Sequence, residues 1–467
     1  MPRIFITLPV IAVLALSLHS SPAAGWTTEI VDAGGVGAHS SIRVDSADHV
    51  HIAYFANSFG YLKYAFYDGG VWRVETPDPQ YLSGHYTSVD VDSSNTPHIG
   101  YRFYSGHSIR YASRTGGSWS ISEFETDPDM EADISMRLDS HGLPHFSYWD
   151  GEFTGEPHDL KYAHFNGSTW ATTIVDSPGD VGRGSSIALD SHQNPHISYY
   201  DQTNVTLKYA AFDGAAWHVQ TLDNCETIAF NFRSAIAVDS RDHVHIVYSA
   251  YHYAGGQWRG RLKYAFFDGS AWTISTIEEG APTRDFRVPA IAIDRADRPE
   301  ISYLIYYNTE PISPVMKYAR FDGNFWRIEI VDPTDLADSD YSNGIDLDSL
   351  GRPHISYCKR QTSLEHAVGG IPADVTEDAR SNPRVMLLPP FPNPSRDGAT
   401  FVFVLPRATS VDLSVYDVAG RRVRTLARGS FGAGAHAAQV DGGLAPGVYF
   451  GRVEGSGSDG GAKLVVR

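Results

Sequence analysis

A three-residue pattern recurs seven times in this chain, at intervals of 47 to 55 residues. Six of the copies have an aspartate, a histidine six residues later and a tyrosine three residues after the histidine, as in "DSHQNPHISY" (190–199), and the seventh has glutamate in place of the histidine. A regular repeat of this length predicts a fold made of similar units, each covering the apolar face of its neighbour. The aspartates are Asp45, Asp92, Asp139, Asp190, Asp239, Asp294 and Asp348, the second position holds His51, His98, His145, His196, His245, Glu300 and His354, and the tyrosines are Tyr54, Tyr101, Tyr148, Tyr199, Tyr248, Tyr303 and Tyr357.

Each unit contains four short segments in which large apolar residues alternate with small or polar ones, separated by turn sequences such as "DSHQNP" and "DG". This alternation predicts four antiparallel strands, and no segment has a helical period. Four-stranded units of this length, each with a tryptophan, are typical of β-propeller blades. In six units a Tyr-Ala pair precedes the tryptophan at a constant spacing of eight: Tyr64/Trp72, Tyr111/Trp119, Tyr162/Trp170, Tyr209/Trp217, Tyr264/Trp272 and Tyr318/Trp326.

The seventh unit lacks its last strand, since "LEHAVGG" (364–370) is followed by a polar stretch. Near the start of the chain, "GWTTEIVD" (25–32) matches "TWATTIVD" (169–176). We expect residues 26–31 to pair with the seventh unit, closing the ring and removing an open sheet edge. The sequence thus predicts an all-β fold with a seven-bladed β-propeller over residues 25–370.

The repeated triplet resembles a catalytic constellation, but a single reaction needs only one such set. A pattern present in every blade is expected to serve the blade. We expect the aspartate and histidine to fix the turn between the first two strands through hydrogen bonds from side chain to backbone. The tryptophans and the Tyr-Ala pairs are expected to form the core between blades.

The chain has 467 residues and a formal net charge of −18. This charge argues against nucleic acid or an anionic membrane as partner, because both attract clustered Lys and Arg. Residues 1–24 hold an apolar run too short to span a membrane and then "SSPAA", a pattern typical of a secretory signal peptide. No later segment reaches membrane-spanning length, so we expect an exported protein. Two cysteines are too few for a disulfide scaffold or a cysteine-rich metal site, and we expect a monomer with no metal and no cofactor.

One face of the predicted disc has turns of constant length, whereas the other has loops of variable length. The distance from the second-strand tyrosine to the third-strand tyrosine runs 10, 10, 14, 10, 16 and 15 residues, with insertions in blades 3, 5 and 6. Variable loops on a rigid scaffold often carry function, although neutral drift in loop length gives the same pattern. Arg can hold carboxylates and aromatic rings can stack on sugars, although solvated loop residues have the same composition. Around the channel mouth on this face we expect the ligand-binding candidates His39, His85, Tyr86, Tyr104, Trp149, Arg183, Tyr200, Arg233, Arg287 and Tyr341.

A second set of residues breaks the repeat inside the innermost strand. Blades 7, 1, 2 and 3 carry alternating charges there, whereas blades 4 to 6 carry alanine. Burying a charge near the axis costs free energy unless the charge is paired, so we expect the charges to form a paired arc. This arc is either a structural ion network, or a site in the channel that holds an anionic ligand or water. In ring order the arc is Asp346, Arg43, Asp90 and Arg137, and the alanines are Ala188, Ala237 and Ala292.

Two families resemble parts of this chain. Turns such as "FDGAAW" (212–217) and "FNGSTW" (165–170) resemble the Asp-box hairpins of sialidase-like (BNR-type) propellers, with the Asp and Trp closer together and without the earlier Ser. No arginine triad with a Tyr–Glu pair can be assigned, so this resemblance implies the fold and not sialidase activity.

The tail resembles the C-terminal sorting domain of type IX secretion substrates. The matching segments are "PNP" (392–394), "VYDVAGRRV" (415–423), "GVYFGRV" (447–453) and a last strand with Lys463 and Arg467. The resemblance implies a small Ig-like β-sandwich over 384–467, after a polar linker at 371–383, that the outer-membrane export machinery recognises. It also implies a secreted or bacterial cell-surface location. A plain Ig-like spacer domain is the alternative.

Two functions remain open from the sequence. The first is binding of a glycan or another extracellular ligand by the variable-loop face. The second is an enzyme on extracellular polysaccharide, a lyase or a glycoside hydrolase, with its site at the channel mouth. Arg183, Arg233 or Arg287 could hold a uronate while His39 or His85 acts as acid or base. No pair of carboxylates stands out as a glycosidase dyad, and we favour binding.

Overall fold

A computed structural model describes residues 25–126, 133–151, 158–226, 233–280, 284–307, 314–332, 343–370, 386–387, 398–405, 409–432, 434–441, 443–455 and 458–466. The chain divides into two compact units, with the boundary between Gly370 and Ile371. The predicted signal peptide (1–24) and the predicted linker (371–383) lie outside the described residues. Apart from the 3₁₀ helix Tyr104–Gly106, the elements in the described ranges are strands, and none of these ranges has a helix long and apolar enough to cross a membrane.

The first unit consists of seven four-stranded antiparallel sheets, numbered here in chain order. Sheet 1 contains β2 Ala38–Val44, β3 Val50–Ala56, β4 Tyr61–Tyr67 and β5 Trp72–Asp78, and sheet 2 contains β6 Ser83–Val91, β7 Pro97–Phe103, β8 Ser108–Thr115 and β9 Ser118–Thr126. Sheet 3 contains β10 Ile134–Leu138, β11 Pro144–Trp149, β12 Leu160–Phe165 and β13 Trp170–Asp176, and sheet 4 contains β14 Val181–Leu189, β15 Pro195–Asp201, β16 Thr206–Phe212 and β17 Trp217–Asn224. Sheet 5 contains β18 Ser234–Val238, β19 Val244–Ala254, β20 Gln257–Phe267 and β21 Trp272–Glu279, sheet 6 contains β22 Arg284–Ile293, β23 Pro299–Tyr307, β24 Val315–Phe321 and β25 Trp326–Asp332, and sheet 7 contains β26 Asn343–Leu347, β27 Pro353–Lys359, β28 Ser363–Gly369 and β1 Trp26–Ala33.

Sheet 7 takes its fourth strand from the other end of the unit. Strand β1 pairs antiparallel with β28, from Trp26 opposite Gly369 to Ala33 opposite Ser363. The first strands of consecutive sheets lie side by side, and β26 of sheet 7 lies beside β2 of sheet 1. Each first strand therefore has a first strand as its neighbour on both sides.

The repeated aspartate builds the turn between the first and second strands through backbone hydrogen bonds, as the sequence predicted, whereas the histidine contacts side chains and not the backbone. In sheet 4, Asp190 Oδ1 accepts hydrogen bonds from the backbone N–H groups of His192 and Asn194, both within 2.8 Å. His196 Nε2 lies 3.5 Å from Asp190 Oδ2, and His196 Nδ1 lies 2.5 Å from the hydroxyl of Tyr209 on the third strand. The histidine thus ties the turn to the strand beyond it.

Sheet 6 has a carboxyl group in the histidine position. Tyr318 donates its hydroxyl hydrogen to Glu300 Oε2 at 2.7 Å, and Arg320 Nε lies 3.5 Å from Glu300 Oε1. Burial raises the pKa of Glu300 to about 7. The side chain therefore keeps the link to the third-strand tyrosine without the imidazole.

The triplet tyrosine connects each sheet to the sheet before it. Tyr199 donates to Asp176 Oδ2 at 2.7 Å, at the end of the last strand of sheet 3, and the ammonium of Lys208 contacts the same carboxylate. We call such a set an inter-sheet triad. The seven inter-sheet triads are Tyr54–Asp32–Lys63, Tyr101–Asp78–Arg110, Tyr148–Glu125–Lys161, Tyr199–Asp176–Lys208, Tyr248–Asp223–Lys263, Tyr303–Glu278–Lys317 and Tyr357–Asp332–Lys359.

The tryptophans form the core between sheets, as predicted. The Trp26 ring meets the Tyr318 ring of sheet 6 edge-on at 5.1 Å, and its Nε1–H donates to Glu329 at 2.9 Å. Such edge-to-face contacts add to the burial of large aromatic surfaces. The other six pairs are Trp72 on His366, Trp119 on Tyr64, Trp170 on Tyr111, Trp217 on Tyr162, Trp272 on Tyr209 and Trp326 on Tyr264.

The second unit is also all-β. Phe401, Leu413 and Leu464 are among the fully buried residues of one apolar core to which both of its sheets contribute. The two sheets are β29–β30–β33, with β29 Met386–Leu387, β30 Gly398–Leu405 and β33 Gly434–Asp441, and β32–β31–β34–β35, with β31 Thr409–Asp417, β32 Arg422–Phe431, β34 Gly447–Gly455 and β35 Ser458–Val466.

Candidate functional site

The first strands of several sheets begin with a β-bulge. Register shifts interrupt the pairing at the start of β2, β6, β14 and β22. In three of these bulges a residue other than glycine has left-handed backbone: His39 (φ 53°), Tyr86 (φ 51°) and Val288 (φ 44°). Such conformations cost about 1–3 kcal/mol each and occur where the surrounding structure holds a side chain in a particular direction. The bulges therefore fix the directions of the side chains at this end of the first strands.

In two of these three bulges a glycine stands two residues before the left-handed position and makes the geometry feasible. At Gly84 (φ +99°) an added Cβ would lie 2.7 Å from the Leu62 Cα of the preceding sheet. Gly37 approaches the backbone of Leu364 equally closely. Only glycine allows the first strand to enter so close to its neighbour.

Seven side chains from sheets 1, 2, 3 and 5 gather beside these bulges, and we call them the mouth cluster. The ring of His39 lies 4.6 Å from the ring of Tyr86 and 5.2 Å from that of His85. The guanidinium of Arg102 lies 4.4 Å from the centre of the Tyr104 ring. The members are His39, His85, Tyr86, Arg102, Tyr104, Asp133 and Arg233.

Arg233 reaches from sheet 5 to two other sheets. Its Nη2 lies 3.0 Å from Asp133 Oδ1 of sheet 3, and its guanidinium lies 5.2 Å from the centre of the Tyr86 ring of sheet 2. Asp133 Oδ2 also accepts the Gly184 N–H of sheet 4. One arginine thus connects sheets on different sides of the mouth.

The histidines and the arginines of the mouth cluster differ in their charge at neutral pH. Burial, with the nearby charges of His85, Arg233 and Arg102, holds the pKa of His39 well below its usual range. Burial and the charge of Arg102 lower the pKa of His85 to about 4. At neutral pH both imidazoles are therefore uncharged beside two arginines, which stay charged.

Trp149 and Arg183 form a second group between sheets 3 and 4. Trp149 is buried, its Nε1–H donates to Asp180 Oδ1 at 3.0 Å, and the guanidinium of Arg183 lies 5.5 Å from its ring. Burial raises the pKa of Asp180. The prediction that the Trp149 ring offers a stacking face is corrected by this packing, because the indole lies inside the fold.

Two further candidates, Tyr200 and Arg287, have partners outside the mouth cluster. Tyr200 is buried and donates to the Ser249 carbonyl oxygen at 2.7 Å, so its expected role as an accessible ring is also corrected. Arg287 Nε lies 2.7 Å from Asp285 Oδ2, and its guanidinium stacks over Tyr306 at 4.1 Å. Tyr341 lies outside the described residues.

The predicted charge arc is present around Arg43. Arg43 Nε lies 3.0 Å from Asp90 Oδ1, and its Nη1 lies 3.8 Å from Asp346 Oδ2. Arg137 has no carboxylate oxygen within ion-pair distance in the part of the chain that the structure describes; its Nη1 donates to the Met136 carbonyl oxygen at 2.8 Å. The arc is therefore paired at three of its four members.

Two members of the mouth cluster were missed from the sequence. Arg102 follows the triplet tyrosine of sheet 2, a position where the other sheets carry residues as different as Phe55 and Ser249. Asp133 stands six residues before Asp139, the same position in the repeat that His39 holds before Asp45. The residue type at both positions varies from sheet to sheet within an otherwise regular repeat, and this variation could have predicted both residues from the sequence. Among the described residues, no group of three or more His, Cys, Asp and Glu side chains is arranged to hold a metal ion.

Comparisons with known proteins add one finding on the second unit and little on the first. No curated protein matches the chain. Solved structures similar to it include AofleA from Arthrobotrys oligospora (11% identity, 66% of this chain and 90% of that chain, TM-score 0.43) and the polysaccharide lyase Uly1 (10%, 73% and 91%, TM-score 0.43). Another is an endo-arabinase from Bacteroides thetaiotaomicron (13%, 49% and 92%, TM-score 0.32). At these scores none of them carries an argument about function.

The tail gives a specific match. Residues 390–467 match the family model of the secretion system C-terminal sorting domain. This agrees with the segments "PNP", "VYDVAGRRV" and "GVYFGRV" noted in the sequence. The chain thus carries a sorting domain of type IX secretion, which marks it as a protein secreted or attached to the cell surface.

Proposed function

We propose that the first unit is a closed seven-bladed propeller that binds an acidic glycan at its mouth cluster, outside the cell. The observation that carries this proposal is the position of Arg233, which joins Tyr86 and Asp133 across the mouth. Arginine can hold a sugar carboxylate with two parallel hydrogen bonds. Tyr104 is 38% exposed, so its ring is available to a sugar face.

A lyase acting on the same class of glycan is the second candidate, and the uncharged histidines favour it. In such a reaction a neutral imidazole, as on His85, takes the proton beside a uronate carboxylate. The bond from the ring to the leaving oxygen breaks, and that oxygen takes up a proton. An adjacent arginine stabilises the charge that builds on the carboxylate. Arg102, whose charge lowers the pKa of His85, and Arg233 are the arginines of the mouth cluster that we assign to this role.

Replacing Arg233 by alanine tests both candidates in the full chain. Oligogalacturonate, oligoglucuronate and a neutral arabinan are titrated into wild type and variant, with absorbance recorded for unsaturated products. We expect binding of an acidic oligosaccharide, with an affinity at least about tenfold lower in Arg233→Ala, equal to about 1.4 kcal/mol. The melting temperature should change little, because the Arg233 side chain is 27% exposed and Asp133 keeps the hydrogen bond from the Gly184 N–H.

Arg241→Ala is the matched control. This arginine is 61% exposed and pairs with Asp239 and Asp297 at the turn between first and second strands. Its removal should leave binding unchanged. Equal affinity of wild type and Arg233→Ala for every oligosaccharide, or no binding by wild type, would contradict the proposal; unsaturated product would decide for the lyase.

A further inference from the structure

A cavity of about 150 Å³ continues from the mouth between the first strands. Asp133 and Arg233 line it, as do the guanidinium-bearing residues Arg43 and Arg137. Asp133 and Arg233 pair with each other at 3.0 Å. The remaining charge on the wall is therefore that of the two other arginines.

The two carboxylates of the charge arc pair with Arg43 and also accept backbone N–H groups. Asp90 accepts the backbone N–H groups of Val91 and Leu138 at 3.0 Å, in addition to Arg43 Nε. Asp346 accepts the N–H groups of Val44 and Leu347. Neither carboxylate is part of the cavity wall.

Arg137 stands at the end of the alternating arc. At the same position in the repeat, sheet 2 carries Asp90, whose oxygens accept the hydrogen bonds given above, and sheet 4 carries Ala188. Among the described residues, Nη1 of Arg137 donates a hydrogen bond to the Met136 carbonyl oxygen. Burial and the charge of Arg43 lower the pKa of Arg137 to about 10, and the charges of Asp90 and Asp346 offset part of this effect.

Hydroxyl groups complete the wall. Ser135 Oγ accepts the N–H of Ile187 at 3.2 Å, and Ser186 Oγ accepts the N–H of Ile236 at 3.3 Å. Because these oxygens act as acceptors toward the protein, their own hydrogens can be donated to a bound anion.

We propose that this cavity binds a small tetrahedral oxyanion, sulfate or phosphate, between Arg137 and Arg43. Asp90 and Asp346 offset the charge of Arg43. Arg137 has no carboxylate within ion-pair distance among the described residues, and an anion in the cavity supplies that counter-charge. The oxyanion is either a free ion or an ester group on a sugar. The site does not depend on the proposed glycan binding at the mouth.

Direct binding measurements on the full chain test the proposal. Sodium sulfate and sodium phosphate are titrated calorimetrically at constant ionic strength set with sodium chloride. We expect one saturable site per chain in wild type and at least a tenfold weaker affinity in Arg137→Gln. Arg241→Ala removes an exposed guanidinium that does not line the cavity, so it should bind sulfate within about threefold of wild type. Binding, not melting, is measured because sulfate stabilises proteins in general through exclusion from their surface.

A second variant keeps the test decisive if Arg137→Gln folds poorly. Ala188→Asp places a carboxylate in the sheet that follows Arg137, just as Asp90 lies in the sheet that follows Arg43. There, Arg43 Nε lies 3.0 Å from Asp90 Oδ1. The Ala188→Asp substitution should abolish sulfate binding while the protein stays folded. Competition by glucose 6-sulfate would identify a sugar ester as the occupant, whereas its failure to compete would identify the free ion. No saturable site in wild type, or wild-type affinity in Ala188→Asp, would overturn the proposal.

Discussion

Replacing Glu278 by alanine should lower the free energy of unfolding by about 2–4 kcal/mol, because it leaves a poorly solvated lysine without its partner. Glu278 accepts hydrogen bonds from Tyr303 at 2.6 Å and from Lys317 at 2.7 Å, both in the next sheet. The side chains of Lys317 and Glu278 are only 13% and 18% exposed. Chemical denaturation followed by tryptophan fluorescence measures the loss.

The adjacent residue supplies the control. Glu279 pairs with Arg261 at 3.0 Å on the surface, where its side chain is 42% exposed. Glu279→Ala should change stability by about 0–1 kcal/mol. Equal effects of the two substitutions would mean that the inter-sheet triads add nothing beyond surface ion pairs.

Trp26→Ala should be as damaging as a core truncation in the middle of the chain, costing about 3–5 kcal/mol. Its ring is buried against Tyr318 and it donates to Glu329, both in sheet 6. Ile30 on the same strand is 60% exposed, so Ile30→Ala should stay within about 0.5 kcal/mol of wild type. A Trp26→Ala variant as stable as Ile30→Ala in denaturant would show that β1 does not hold sheet 7 to its neighbour.

The architecture could be predicted because every unit repeats the same local signals. Alternation defined four strands, Asp and His defined one turn, and the match of residues 25–32 to 169–176 predicted the pairing of β1 with β28. The inter-sheet triads were not predicted, because their acid lies 22 to 25 residues before the tyrosine, a distance that changes with loop length.

The candidate site was predicted only in part. His39, His85 and Tyr86 lie in two neighbouring first strands, Tyr104 follows the second strand of sheet 2, and Arg233 directly precedes the first strand of sheet 5. The repeat does not reveal how far a long side chain extends, so the reach of Arg233 to Asp133 was unforeseen. Nor does it distinguish an exposed aromatic ring from one turned between sheets, which is where Trp149 and Tyr200 lie.

The central claim is that the sevenfold triplet is architecture and that the functional surface is the mouth cluster. Measuring unfolding and oligosaccharide binding together in His196→Ala, His145→Ala and Arg233→Ala tests it most directly. Both histidine variants should lose about 1–3 kcal/mol of stability, typical of a lost buried hydrogen bond, and the folded fraction should bind with wild-type affinity. Arg233→Ala should show near-normal unfolding and weakened binding. If His196→Ala instead abolished binding at unchanged stability while His145→Ala did nothing, one copy of the triplet would be a functional site and the account would be wrong.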